Sequence, residues 1–490
     1  MSIENLASRA KLAVYWNTGF NLFRDLLQFV VMLILVRIIP PEAYGQFGLV
    51  NSIIGFISVF SFTSFISHSL QIRKIEEIDY QSQFTAGFFI QIIVIVATVC
   101  SAIFIDFFPE YKGIKFLIII MATGFIFQLP GELQRKMYEK QLEWKRMRLL
   151  DAIGMLLYSI IAIILGLLGF KIYALLLPSL VTGFPFIYEL FVKNKWLPNW
   201  TFDKNKYKET LKFALAQSGT SLIAKVQPLI ESIFFTTVIG FYDFGIYGRA
   251  FGLARMVSEK FVSQLLYATY PVLTNIDTKS EQFKKAVSTL LIIIMAFIIP
   301  VSIIFSLNAE SIVLLLYGNK WIAVIPLLPF TIFIVSFSAL NSTFYYILLS
   351  YYKQNLLFII SVISLIINIF FLIIILNKGI KYYLTGLLFL QFVLLTGYII
   401  IASFYKLIEL KFILRKLLGL LVIALTSCLP VFFISKYFGY NQNIVKLVRI
   451  IIYFILYLIQ LRLFMTETFI TIINYFPFKE KALTIFKLKH

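Results

Sequence analysis

Long apolar runs separated by short polar breaks dominate the chain. Runs of the length that crosses the hydrocarbon core of a bilayer as a helix, about 20 residues, recur near 13–36, 46–67, 83–105, 115–131, 150–169, 172–192, 212–239, 245–272, 286–307, 322–349, 354–376, 382–405, 416–435 and 446–464. The pattern predicts an all-α polytopic membrane protein with fourteen transmembrane helices. The second and eighth spans are the most polar, with "YGQFGLVNS" and "YGRAFGLARMVSEK"; without them twelve remain. The longest breaks, about 20 residues at 131–149 and 193–211, leave no room for an extramembrane domain. Whatever chemistry the protein performs takes place at membrane depth.

Some polar residues lie inside the apolar runs. In "NTGFNLFRDLLQ", Asn17, Asn21, Arg24 and Gln28 fall at i, i+4, i+7 and i+11, one stripe along a helix, with Asp25 about 100° round from Arg24. Ionised groups in hydrocarbon are costly unless they meet water or a partner, so their default reading is functional. Span 7 repeats the device with Gln217, Ser221, Lys225, Pro228 and Glu231, and span 8 holds Arg249, Arg255, Glu259 and Lys260. A shift of 200 residues aligns Gly45 with Gly245 and Tyr44 with Phe244. Spans 1 and 7 then become equivalent, which predicts two six-helix parallel-repeat halves around a central cleft lined by both stripes. The division this gives is a first bundle over 1–194, a cytoplasmic linker over 195–211, a second bundle over 212–406, two additional helices over 407–465 and a basic cytoplasmic tail over 466–490.

Composition narrows the functional classes. Hydrophobic residues make up 60% of the 490 and charged ones 14%, outside the range of soluble domains. The net charge of +20 does not indicate nucleic acid, because most Lys and Arg residues lie in short segments between spans. With the N-terminus in the cytoplasm, 29 of them fall inside and 10 outside, so both termini are placed in the cytoplasm by the positive-inside rule. "MSIENLASRAKLAVYW" lacks the short apolar core and small-residue cleavage site of a signal peptide. Two cysteines and two histidines, far apart, give no disulfide or metal spacing. Nucleotide loops, nucleophile elbows and dinucleotide fingerprints are absent, so neither an enzyme nor a cofactor is expected.

Three stretches resemble one family. "LVRIIPPEAYGQFGLV" (35–50), "LPGELQRKMYEKQLEWKRMRLLD" (129–151) and "VLLLYGNKWIAVIPLLP" (313–329) are similar to segments of the Wzx-like polysaccharide and O-antigen flippases of the multidrug/oligosaccharidyl-lipid/polysaccharide superfamily. The likeness runs from about residue 10 to 465 in span order and loop length; Pro40 departs from the glycine many members carry before "PE". It implies a bacterial inner-membrane exporter that moves a polyprenyl-diphosphate-linked oligosaccharide from the cytoplasmic to the outer leaflet by alternating access. Its partners would be the lipid-linked oligosaccharide and membrane lipids, with a polysaccharide polymerase and other assembly proteins beside it.

On that reading Arg24, Lys225, Arg249 and Arg255 hold phosphate or acidic sugars, since arginine donates two parallel hydrogen bonds to such groups. Asn17, Asn21, Gln28 and Gln217 bond hydroxyls, and Asp25 and Glu231 are the candidates for a coupling proton or sodium ion. Local pairing of Arg24 with Asp25 and of Arg255 with Glu259 is the plainer alternative for those residues. Four tyrosines in "STFYYILLSYYKQN" suit an interfacial aromatic belt better than sugar stacking. A drug exporter of the same superfamily would favour an acidic cleft, and a membrane polymerase or ligase would need a large external loop.

Overall fold

Without water to bond, backbone N–H and C=O groups in hydrocarbon are satisfied within helices, and among the described residues there is no strand. The computed structural model describes residues 3–67, 78–103, 113–201, 225–431 and 443–474 with isolated positions between them; of residues 3–14, 64, 65 and 443–447 it describes the backbone alone. Eleven helices there are long and apolar enough to span a membrane, and a twelfth arises if Val448–Phe464 and Thr466–Asn474, bent by 115°, form one span. The eighth expected span is present as the 35-residue helix Gly240–Thr274, whose charges keep it out of those eleven. The seventh is described from residue 225 onward as helix. The structure is therefore compatible with fourteen spans, and the protein is a multi-pass membrane protein.

The chain divides into two compact units, Met1–Gly245 and Ile246–His490. In the first, α1 (Ile3–Ile38) packs along α6 (Trp144–Leu167), and α2 (Pro41–Ile57), a short α3 (Thr63–Ser67) and α4 (Tyr80–Ile103) pack on α5 (Ile114–Gln141). One expectation fails here. The polar stretch 131–149 is not a loop: α5 runs to Gln141, Leu142 turns the chain in the left-handed conformation at φ 60°, and α6 starts at Trp144. A helix can outrun its apolar segment where polar neighbours pair on its surface, as Arg135 with Glu132 at 3.5 Å and Lys136 with Glu139 at 2.7 Å do.

Span 6 is broken instead. Its pieces are α7 (Tyr173–Leu176), a 3-10 segment (Leu177–Val181), α8 (Phe184–Tyr188) and a wide π turn (Glu189–Lys193). Pro178 and Pro185 each remove a backbone donor, which breaks the regular ladder. The last helix of this unit before the boundary, α9, covers 225–238.

The 200-residue offset reappears as a contact. Gly45 of α2 lies against the carbonyl of Phe241, and Gly245 lies against the carbonyl of Pro41, so each packs on the residue four before the other. A side chain at either glycine would collide with backbone, and glycine is the residue that permits such an approach.

The second unit comprises α10 (Gly240–Thr274, from Ile246 on), α11 (Glu281–Leu307), α12 (Ala309–Leu316), α13 (Leu328–Ser350), α14 (Gln354–Ile375), α15 (Ile380–Phe404), α16 (Leu410–Thr426), α17 (Asn443–Phe464) and α18 (Thr466–Asn474). Its core centres on α11, apolar nearly all round and buried along most of its length, as expected of a helix covered on every side. The two helices beyond the repeat, α16 and α17, also pack on α11, where Tyr457 donates to the carbonyl of Ala296 at 2.9 Å. By contrast, α14 leaves Phe358, Ile359, Ile363, Ile366 and Phe370 exposed, an apolar face that suits lipid.

Candidate functional site

The stripe on α1 starts at its Asn17 end against another helix. Arg148 of α6 donates from Nε to Asn17 Oδ1 at 2.5 Å and lies over the Phe20 ring at 5.2 Å. Asn21 is half-buried and Gln28 exposed. Arg24 is roughly 14 Å along the helix from Tyr15, at about 1.5 Å per residue, and its guanidinium contacts Asp25 Oδ1 at 3.3 Å with both side chains partly open. On α9, Lys225 is exposed, with Nζ 4.0 Å from where a Cβ on Gly55 of α2 would stand, and Glu231 is half-buried. Gln217 and Ser221 lie outside the described residues.

A second set of charges in the first unit is closed, and reading by span and loop missed it. Asp151, with a 5% exposed side chain, joins Arg135 at 2.6 Å and Arg148 at 2.8 Å. Glu189, with a 2% exposed side chain, meets Arg146, receives the Tyr138 hydroxyl at 2.5 Å and pairs with Lys193 at 3.4 Å. Arg135 also lies over the Phe186 ring at 4.8 Å, and Asn194 donates to Gln134 at 3.1 Å. These contacts tie α1, α5, α6 and the end of span 6 together at one end of the unit. The available signal was Glu189 itself, a carboxylate closing an apolar run, together with the cations of "QRKMYEKQLEWKRMRLLD".

In the second unit, α10 has two unlike sides. Ala250, Leu253, Ala254, Ser258, Val262 and Leu266 are buried. Ser258 contacts Ser336 of α13 at 3.3 Å, which contacts Ser302 of α11 at 2.7 Å, while Thr331 donates to the carbonyl of Ala250 at 3.3 Å. These buried bonds fix which side turns outward. That side carries Arg255, Glu259, Lys260, Ser263, Gln264 and Tyr267. Arg255 and Glu259 pair at 3.5 Å with side chains 64% and 57% exposed, and Arg255 lies over the Phe251 ring at 5.5 Å. Arg249, one turn and a half earlier, is half-buried, and its carbonyl receives the Tyr317 hydroxyl at 3.4 Å. Glu259 lies near the middle of a helix about 52 Å long at 1.5 Å per residue. A paired acid and base exposed at that depth call for a water-lined surface.

Among the described residues no group of His, Cys, Asp and Glu is arranged to hold a metal.

The geometry has known counterparts. The solved structure of the lipid II flippase MurJ in an inward closed conformation superposes with a TM-score of 0.69 at 15% identity, covering 93% of this chain and 99% of that one. An inward-facing multidrug resistance MATE family transporter of the MOP superfamily gives 0.55 at 16% identity, covering 78% and 95%. At such identities the likeness shows the fold. The succinoglycan biosynthesis transport protein ExoT of Rhizobium meliloti is 21% identical over 303 residues, 62% of this chain and 61% of that protein. The teichuronic acid biosynthesis protein TuaB of Bacillus subtilis is 21% identical over 226 residues, 45% of this chain and 46% of that protein. The chain thus matches less than two thirds of the length of these relatives. A family model for polysaccharide biosynthesis proteins matches residues 34–326, which takes in α2, α9 and the whole of α10, and on that match the chain belongs to the polysaccharide biosynthesis protein family.

Proposed function

We propose that this protein is a flippase that carries a polyprenyl-diphosphate-linked oligosaccharide from the cytoplasmic to the outer leaflet of a bacterial inner membrane by alternating access, with both termini in the cytoplasm. The single observation that carries the reading is the outward side of α10, where Arg255 and Glu259 are exposed on a helix of a membrane protein. Unaided, a diphosphate and its sugars would strand charge and hydroxyls in hydrocarbon. A polar, cation-bearing path removes most of that cost while the prenyl tail stays in lipid. Supporting it are a family named for polysaccharide biosynthesis, a relative named as a succinoglycan transport protein and a fold shared with a lipid II flippase.

Within this reading Arg24, Lys225, Arg249 and Arg255 contact phosphate or acidic sugar, Asn21, Gln28 and Gln217 bond hydroxyls, and Asp25 and Glu231 are the candidates for a coupling ion. Asn17 contributes through the α1–α6 contact, because its oxygen already receives Arg148. The protein moves its cargo without altering a covalent bond, so it is a transporter and not an enzyme. A cationic drug would meet Arg24, Lys225 and Arg255 on its way, which disfavours the drug-exporter reading.

The test is reconstitution of the full chain in vesicles containing an undecaprenyl-diphosphate disaccharide with a fluorescent label on the sugar. A membrane-impermeant reductant should reach an increasing share of label from the far leaflet in the presence of protein. Rates equal to those of protein-free vesicles, with and without proton and sodium gradients, would sink the reading.

A further inference from the structure

Below Arg255 on α10, the second unit contains a cavity of about 680 Å³. Its walls carry Glu259, Ser263, Tyr267 and Tyr270 from α10 and Ser342 and Tyr346 from α13. That volume falls within the range of about 300–1,000 Å³ found for small-molecule sites. Tyr270 and Tyr346 meet edge to face at 5.2 Å, and Tyr345 stands against Tyr346 at 5.8 Å, so the aromatic wall is braced. Tyr267 is 87% exposed and offers an open ring.

The chemistry of the wall selects its occupant. Among the described residues the cavity lining contains no lysine or arginine to partner a phosphate, and an acidic sugar would face Glu259. A prenyl chain would match Val262, Leu266, Pro271 and Ala339 but would set the carboxylate and five hydroxyl-bearing side chains against hydrocarbon, a cost for each polar atom left without a partner, although Ser263 and Ser342 already donate to the carbonyls of Lys260 and Ser338. A sugar satisfies them: its ring hydroxyls donate to Glu259 and exchange bonds with Ser263 and Ser342, and its C–H face stacks on tyrosine. Arg255 lies at the rim, 3.5 Å from Glu259 in an exposed pair, and exposed pairs are weak enough to exchange partners, at about 0–1 kcal/mol.

From this arrangement we infer that the cavity between α10 and α13 is a sugar subsite that takes the neutral or amino-sugar part of the cargo head, with the diphosphate held outside it at Arg255. The inference rests on the flippase reading and adds to it the part of the molecule that senses sugar identity. In the orientation proposed above, the cavity lies in the cytoplasmic halves of both helices, on the side from which cargo enters. Of the tyrosines at the end of span 10, Tyr346 thus lines a recognition surface and Tyr345 braces it.

Binding to the full-length protein in lipid nanodiscs tests it with three probes: undecaprenyl diphosphate, the same lipid bearing a cellobiosyl disaccharide, and the same lipid bearing a glucuronosyl-glucose disaccharide. The wild type should hold the cellobiosyl lipid about three- to tenfold tighter than the bare lipid, the span expected for one aromatic contact, and tighter than the acidic one. Tyr267→Ala should erase the first difference with bare-lipid affinity unchanged, and Glu259→Gln, which also releases Arg255 toward the diphosphate, should narrow the ratio between the cellobiosyl and glucuronosyl lipids. Both side chains are exposed, so folding survives either change. Equal binding of the bare and cellobiosyl lipids by the wild type, or a preference that both variants retain, overturns the subsite and leaves the flippase reading standing. Binding of none of the three probes overturns that reading and the subsite with it.

Discussion

The first unit and the second each hold a group of charged side chains, one where α5, α6 and span 6 meet at an end of the unit and one midway along α10, and the two are built in opposite ways. Around Asp151 and Glu189 the carboxylates are buried and served by two or three donors each. On α10 the Arg255–Glu259 pair stands open on both sides. The number of charges does not distinguish them; the burial and saturation of the carboxylates do, even though Arg135 Nε and Arg146 Nε lack a hydrogen-bond partner. A closed set holds helices in place, because a carboxylate with every partner supplied has nothing left to offer a ligand, and an open pair can change partners at little cost.

This contrast breaks first where the closed set is cut. Glu189→Gln removes the charge that Arg146 and Lys193 share and replaces one of the two accepting oxygens by an amide donor; severing a buried pair costs about 3–5 kcal/mol, and solvent access to Arg146 and Lys193 reduces this to roughly 2–3 kcal/mol. The amount of monodisperse protein recovered from membranes should fall sharply, and Asp151→Asn should behave alike. Normal recovery with lost flipping would move these acids to the cargo path.

Next in size is the open pair. Arg255→Ala should lower flipping by about tenfold or more, the worth of one charge-assisted hydrogen bond, with protein recovery unchanged. Arg24 sharpens the same point, since its contact with Asp25 at 3.3 Å admits either role. Flipping should fall in the order wild type, Arg24→Lys, Arg24→Ala, because lysine keeps the charge and loses the two-pronged geometry. If recovery falls instead and returns when Asp25 is also changed to Asn, Arg24 belongs with the closed set.

Asn17 should fall between the two regions. Removing an acceptor from a guanidinium costs about 1.5–3 kcal/mol for a bond to a charged group, so Asn17→Ala should reduce thermal stability while the protein that survives keeps its flipping rate per molecule. The smallest effect belongs to Glu281, which pairs with Lys284 at 2.5 Å but is 81% exposed in its side chain. Glu281→Gln should shift stability by no more than about 1 kcal/mol and leave transport intact. A large loss there would mean that exposure fails as the criterion.

The sequence by itself determined the membrane class, the run of helices and the polar stripe on α1, because apolar length and helical period are local properties that survive any packing. It also held the 200-residue offset, since glycines at 45 and 245 are needed wherever two backbones meet, and the reciprocal contacts with Phe241 and Pro41 make that need visible. Three things only the tertiary structure decided. Helix α5 ran on to Gln141 and α6 began at Trp144 inside the polar break 131–149, because pairs such as those at 132–139 lie on the helix surface and hydropathy does not register them. Glu189 and Arg146 became partners across 43 residues, and Asn17 and Arg148 across 131, which no spacing rule connects. Tyr267 and Tyr270 came to share a cavity with Tyr346 because the buried serines Ser258, Ser302 and Ser336 set how α10 is turned against α13. Chain order fixes which residues a helix carries, whereas the direction in which each one points depends on what the opposite face of that helix buries.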